Sequence, residues 1–528
     1  MALVSHRRQP EEDRAWRLVA LGAIVVSIVA FLITNHYGAV LTYNDSISHL
    51  QIARRVVSST SPGAAQLGGV WLPLPHVLTI PFVWINSWYY SGFAGSIVSM
   101  CANVITVVLV YKITYKLANS KLAGVVAAVV FGVNINVLYM QSTPMTEALL
   151  FCLLAGVIYC IQQWADTNRS SYLLGAIITA ILATLTRYES WPILIALYFT
   201  VLLIAYGQGK KVDISKKLRS KRTRERFILF TFVGSFGVAG WMLWNQIIFG
   251  DFMNFQGGDY AKPSLWLTNT EPAIGNWWVS IKTYAIAMAD NVSWPILVLA
   301  LIGLGLLLFR QFPRTRNNFR TLPVLSLLVI IPFFILSLYK GQRPLHVMET
   351  TGNLYNVRFG LIIALPAAIL VGYLSTLFTR RLALVTGGIL MAVALSVGVA
   401  SARSGDIITY QDPASALKAQ GNTDQAETAA AFKRLYNGGL ILEETFGNER
   451  LTFDAIPTDK LIYEGSFRKW EPALRYPAAN HIKWLVTRCG SGPDKVCTAL
   501  KKYKFPEYKR VFQTDDGLYA IYQLNTNR

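Results

Sequence analysis

The sequence predicts an α-helical multi-pass membrane protein, with about eleven transmembrane helices, followed by a small C-terminal extracytoplasmic α/β domain. Three observations predict it. Of the 528 residues 53% are hydrophobic and only 15% charged, at a mean hydropathy of +0.38. A soluble chain of this length needs roughly a quarter of its residues charged to cover its surface, so a soluble cytoplasmic enzyme is excluded. Apolar stretches of about 20 residues, long enough to cross a bilayer, recur up to residue 400. Beyond Arg403 polar residues rise and short strand-like runs replace the long apolar ones.

The first apolar stretch is Leu18–Ile33. No small-residue cleavage site follows it, and the chain runs on through Asn35-His36-Tyr37, so it reads as a span rather than a cleaved signal peptide. The others are 93–111, 122–140, 146–163, 172–186, 190–206, 227–249, 293–309, 321–339, 359–377 and 382–400. Between the first two lies a first outer loop, 35–92. Within it Val77–Tyr90 is apolar but short, interrupted by Pro81 and closed by Trp84, Trp88, Tyr89 and Tyr90. Such rings favour the membrane–water boundary, and the segment reads as a helix lying in the interface.

Charge sets the orientation. Lys and Arg number 49 against 29 Asp and Glu, a net +20. In a chain rich in spans that excess anchors cytoplasmic loops, and no nucleic-acid partner is expected. Lys210, Lys211, Lys216, Lys217, Arg219, Lys221, Arg222, Arg224 and Arg226 form one basic loop, Arg310, Arg314, Arg316 and Arg320 a second, and Arg380-Arg381 a third. Placing these in the cytoplasm puts the N-terminus there too, with Arg7, Arg8, Arg14 and Arg17. An odd number of spans then sends the C-terminus outside, with 35–75, 141–146, Thr186–Ser190, 250–292 and 340–358. The chain divides into a polytopic part, 1–402, and a soluble extracytoplasmic part, 403–528, on a plasma membrane of prokaryotic type.

In the soluble part Ala414–Tyr436 reads as helix, broken at Gly421-Asn422. Gly439–Glu443, Lys460–Tyr463, His481–Val486 and Leu518–Leu524 read as strands. Cys489 and Cys497 flank a Gly-Ser-Gly-Pro loop, and an outer compartment would let them form a disulfide. Cys101, Cys152 and Cys160 sit in spans as packing residues. No cysteine pattern has metal-ligand spacing.

Ionisable groups at the outer ends of spans are the informative residues, because hydrocarbon makes them costly. Asp45 follows the first span, and His49 lies one helical turn on, so carboxylate and imidazole share a face. Equally, Asp45 or Asn44 fits an ordinary N-cap. Glu147 opens the fourth span behind Thr143, a candidate cap, and Pro144 at the first helical position. Thr186-Arg187-Tyr188-Glu189 places an Arg and a Glu in an outer turn, where they can pair with each other. Lys340, Arg343, His346 and Arg358 gather cations on the outer side, against the orientation bias, and Arg358 opposes the dipole of the helix it opens. An anion offsets both costs, and the planar Arg fork suits phosphate. In 250–292 Phe252, Phe255, Tyr260, Trp266, Trp277, Trp278 and Tyr284 either stack on a sugar or rest at the lipid boundary.

Taken together, these residues resemble the GT-C superfamily of integral membrane glycosyltransferases, within it most closely the protein O-mannosyltransferases and lipid A aminoarabinose transferases. The resemblance covers roughly 15–400. It rests on Asp45 after the first span, Trp71-Leu72-Pro73-Leu74-Pro75-His76, Thr143-Pro144-Met145-Thr146-Glu147, Thr186-Arg187-Tyr188-Glu189 and Tyr355-Asn356-Val357-Arg358-Phe359-Gly360. The sequence departs from the group at Asp45-Ser46, where an Asp-Glu pair is common, and at Pro73-Leu74-Pro75, where the aminoarabinose enzymes have a Pro-Pro doublet. The resemblance implies a GT-C fold, a polyprenyl-phosphate sugar as donor, and a protein, lipid or glycan as acceptor. It makes Asp45 the catalytic acid of the first loop, Glu147 a second acidic group near the acceptor, and Arg358 a contact to the donor phosphate.

The chemistry asks for the same residue types. Transfer from a polyprenyl phosphate needs a base for the acceptor hydroxyl and cations for the departing phosphate. Asp45 is the expected base, with His49 and Glu147 beside it, and Arg358, Arg343, His346 and Lys340 serve the phosphate. Arg187, Tyr188 and Glu189 are candidate sugar or acceptor contacts. One displacement gives inversion, since retention through a covalent intermediate needs a second carboxylate as nucleophile. Two alternatives stand beside this: a lipid or solute transporter, whose charges would lie at mid-membrane depth beside broken helices, and a metal-dependent oligosaccharyltransferase-like enzyme. The latter would use a divalent cation and want more carboxylates, with His49 or Glu147 contributing. No resident metal is assigned.

Overall fold

A computed structural model describes residues 14–207, 221–268, 270–311, 319–419, 423–490 and 494–525. Arg7, Arg8, the basic residues from Lys210 to Arg219, Arg314, Arg316, the break at Gly421-Asn422 and most of the loop between the paired cysteines lie outside them. Each of the eleven apolar stretches is helical. The described elements begin with α1 (Ala15–His36), α2 (Asn44–Val57), α3 (Leu74–Thr79), α4 (Asn86–Ser91), α5 (Phe93–Ala118), α6 (Lys121–Gly132), α7 (Ile135–Gln141), α8 (Glu147–Thr167), α9 (Ser170–Thr184) and α10 (Ser190–Gly207). Seven described helices are long and apolar enough to cross a membrane, and nine if two bent pairs each count as one span. Two shorter apolar helices, Ser170–Thr184 and Ser190–Tyr206, account for the remaining two of the eleven stretches.

The protein is a multi-pass membrane protein whose helices differ by their surroundings. The helix of 357–374 is almost wholly enclosed, while α1 and the helix Arg380–Ser404 stay mostly uncovered. The exposed side chains of α1 include Leu18, Leu21, Ile28 and Leu32, as a lipid-facing helix requires.

Three local expectations are corrected. Val77–Tyr90 is two short helices, α3 and α4, because Pro81 lacks an N–H to continue the first. Val77, Leu78, Trp84, Ile85 and Tyr90 remain exposed there, which supports contact with lipid. Thr143 does not cap α8, which starts at Glu147; its hydroxyl donates to the Met140 carbonyl at 2.8 Å in the preceding turn. Finally, the loop 250–292 ends in a 16-residue helix, Trp277–Val292, capped by Asn276 and followed by Trp294–Gln311 at 104°.

The C-terminal part carries a five-stranded sheet in the order β2-β1-β3-β5-β4. Here β1 is Leu440–Leu442, β2 Leu461–Ile462, β3 Ile482–Arg488, β4 Tyr508–Gln513 and β5 Tyr519–Leu524. β1 pairs parallel to β2 and β3, whereas β5 pairs antiparallel to β3 and β4. Strand β4 is absent from the sequence reading: it is an edge strand whose Lys509, Arg510 and Gln513 are exposed, the blunting that hides such a strand from an apolar pattern. Cys489 and Cys497 are bridged, with Cα atoms 5.5 Å apart.

Candidate active site

The site starts where α1 hands over to α2. Tyr43 enters the helix with an extended backbone, and no side chain caps the first turn. Asp45 and Asn44 are thus freed from the capping role. Asp45 Oδ2 instead accepts a hydrogen bond from Arg358 Nη2 at 2.5 Å, across 313 residues of sequence. Arg358 sits in the 3₁₀ turn Val357–Ile363, entered through Asn356 at a φ of 52° and held by Asp412, whose Oδ2 accepts from the Val357 N–H at 3.0 Å. Its guanidinium lies over the Tyr43 ring, 4.7 Å from the centroid.

From this pair a line of alternating charge continues inward. Arg358 Nε is 3.5 Å from Glu147 Oε1, the same oxygen that accepts from Arg187 Nη1 at 2.8 Å. Arg187 then grips Glu189 with Nη2 and Nε, at 3.1 and 3.2 Å, and Glu189 also meets Arg343 at 3.3 Å. Three carboxylates and three guanidiniums alternate, so the line is neutral as a whole. Asp45 is its most open member, with a side chain 36% exposed against 6% for Glu147 and 4% for Glu189. Burial would raise the Glu189 carboxyl, but Arg187 and Arg343 outweigh it and hold it at about 2.

The remaining expected residues stand apart. His49 turns away from Asp45 to His76, with ring nitrogens 2.8 Å apart, and packs on Trp71 at 4.6 Å. Burial, with the charges of Arg187 and Arg358, takes its pKa down to about 3, so the imidazole is neutral at physiological pH. His346 pairs with Glu271 at 2.9 Å. Lys340 is exposed and has no ion pair among the described residues. Tyr188 donates to the Val70 carbonyl at 2.6 Å, accepts from Trp241 and stacks on Phe255. Tyr43, His76 and Asp412 were not anticipated. Asp412-Pro413 inside an otherwise ordinary helix was the one available signal.

Among the described residues no three His, Cys, Asp or Glu side chains gather to hold a metal. The carboxylates are interleaved with guanidiniums instead, a donor set that does not fit a divalent cation.

Behind the first helix of this helical membrane bundle stands an acid, and Arg358 is brought to it from 313 residues further along the chain. Residues 89–218 match the model of the dolichyl-phosphate-mannose-protein mannosyltransferase family. The chain superposes on ArnT from Cupriavidus metallidurans bound to undecaprenyl phosphate with a TM-score of 0.55 and 10% identity, covering 96% of this chain and 98% of that one. The apo state of that ArnT gives 0.53 and 11%, covering 95% and 98%. The Archaeoglobus fulgidus oligosaccharyltransferase superposes more loosely, at 0.47 and 11%, covering 98% of this chain and 75% of that one. Among curated proteins none matches the sequence. At 10–11% identity the likeness to ArnT is one of fold.

Proposed function

We propose that the protein is a membrane glycosyltransferase that moves a sugar from a polyprenyl phosphate to an extracytoplasmic acceptor, with inversion. The observation that carries the reading is the pairing of Asp45 with Arg358 at the open end of the charged line, in a fold shared with an ArnT that binds undecaprenyl phosphate. Asp45 takes the proton of the acceptor hydroxyl as its oxygen attacks the anomeric carbon. The bond from that carbon to the phosphate oxygen breaks, and polyprenyl phosphate leaves with the electron pair. Arg358 exchanges its carboxylate partner for the phosphate, where a planar fork of donors stabilises the growing charge.

Glu147 has a different task from the acceptor contact that the family implies. It is buried between Arg358 and Arg187, so it orients the phosphate-binding guanidinium. Arg187 and Glu189 support that orientation, and Tyr188 fixes their turn against the first loop. Arg343 closes the line at its far end.

The test is to incubate the purified protein in lipid nanodiscs with a panel of polyprenyl-phosphate sugars. One donor should be consumed, and the product should have the opposite anomeric configuration. Asp45→Asn should insert normally and turn over about 10²- to 10⁴-fold more slowly, the usual loss for a general base. Net retention, or near-native turnover by the variant, overturns the scheme.

A further inference from the structure

The first turn of α2 must be steadied by something other than a cap, because no side chain caps it and its residues carry Asp45. The support comes from the far end of the sequence. Arg450, on the short helix Glu449–Ala455 of the C-terminal part, donates from Nη2 to the Leu41 carbonyl at 2.7 Å and the Thr42 carbonyl at 3.0 Å. Its Nε donates to Asn44 Oδ1 at 3.1 Å. All three acceptors lie within the four residues that precede Asp45.

Two neighbouring contacts keep the same helix in register. The Glu449 carbonyl accepts from Gln51 Nε2 at 2.8 Å, about two turns along α2. Phe453 packs on the rings of Tyr89 and Tyr90, 4.9 and 5.5 Å away. From the opposite side Tyr139 donates to the Ala39 carbonyl at 3.1 Å. Among the described residues Arg450 has no carboxylate within ion-pair distance. Its fork is spent on two backbone carbonyls and one side-chain amide oxygen, all uncharged.

We infer that Arg450 is a positioning residue: through Leu41, Thr42 and Asn44 it fixes the first turn of α2, and so the place of the Asp45 carboxylate opposite Arg358. The C-terminal part is then a clamp on the first outer loop. This rests on the role proposed for Asp45. A shift of about 1 Å in a reacting group costs up to about 10²-fold in rate, so losing the clamp acts on the chemical step and leaves donor binding by Arg358 in place.

The test compares Arg450→Ala, Arg450→Lys and Asp454→Ala with the native protein in nanodiscs. Asp454 lies on the exposed flank of the same helix, and its variant should behave as native. Arg450→Ala should lower kcat by about 10- to 100-fold with donor KM within about threefold. Its amides at 44–48 should exchange about tenfold faster or more. Arg450→Lys, whose single ammonium reaches the carbonyls but offers no fork, should recover part of the rate. Native kcat with native exchange overturns the inference, as does a raised KM with kcat unchanged, or a loss that only tracks unfolded protein. If the native chain consumes no donor at all, the enzymatic reading falls, and the exchange of 44–48 alone decides whether Arg450 anchors the turn.

Discussion

His49 and His76 share one hydrogen bond in a site flanked by Arg187 and Arg358, and both imidazoles are pushed well below their ordinary pKa, chiefly by burial. In the unfolded chain each takes a proton near pH 6.5; folded, His49 refuses it until about 3. Between those values the unfolded state binds more protons, so stability must fall as pH drops from about 6.5. Glu189 acts in the same direction, but at lower pH. Held at about 2, its contribution is complete above the ordinary Glu value of about 4.3 and fades only below it. The melting temperature in detergent should therefore drop by several degrees between pH 7 and pH 5, and His49→Gln should flatten that slope; an unchanged slope would remove the pair as its source. Asp45, Glu147, Arg187 and Arg358 were legible in the sequence because an ion at a span end needs a reason. Their alternating order was not, since spacing within one segment says nothing about which distant segment arrives beside it. For the same reason Arg450, an ordinary-looking residue of the C-terminal part, gave no signal.

The apolar helices were legible almost to their ends, because burial in lipid writes a long continuous run. Their breaks were not. α6 and α7 bend by 65° at Asn134, and Trp277–Val292 meets the next helix at 104° beside Ser293. The two breaks face each other: Asn134 and Asn136 donate to the Asn291 carbonyl at 3.0 and 3.1 Å, and Asn136 also reaches the Asp290 carbonyl. Asparagine amides thus satisfy the carbonyls that a broken helix exposes, which is a packing role and gives no support to a transport site. Close approach places the Arg358 turn on the same helix. A Cβ at Gly360 would stand 2.2 Å from the Ala287 carbonyl oxygen, whereas one at Gly388, in Arg380–Ser404, would meet nothing within 4 Å. Gly360→Ala should consequently lower the melting temperature and, by displacing Arg358, weaken polyprenyl-phosphate binding. Gly388→Ala, which only restricts the unfolded chain and improves helix propensity, should raise stability by up to about 1 kcal/mol. Equal effects of the two changes would show that contact with Ala287 is not what the glycine serves.

Across the whole molecule, charge is sorted by end. α8 carries Glu147 in the candidate site at its start and Asp166 near its finish, about 30 Å away along a 21-residue helix. Asp166 gathers the other end's cations, with Lys116 at 2.8 Å and Arg320 at 2.9 Å, and Arg310 binds the Thr376 and Leu377 carbonyls nearby in sequence to Arg380-Arg381. The end that holds these cations is therefore opposite the end that holds the neutral charged line and the clamp by the C-terminal part. On the orientation bias the former is expected in the cytoplasm. A bridged Cys489–Cys497 pair agrees, since such bonds persist in oxidising compartments. Single cysteines introduced into a background with Cys101 replaced by Ser report the outcome directly. Tyr476→Cys, on an exposed ring of the C-terminal part, should react with a membrane-impermeant maleimide in intact cells, and Arg169→Cys, exposed just beyond α8, only after permeabilisation. The reverse pattern would place the charged line on the cytoplasmic face, where Asp45 could not meet an extracytoplasmic acceptor.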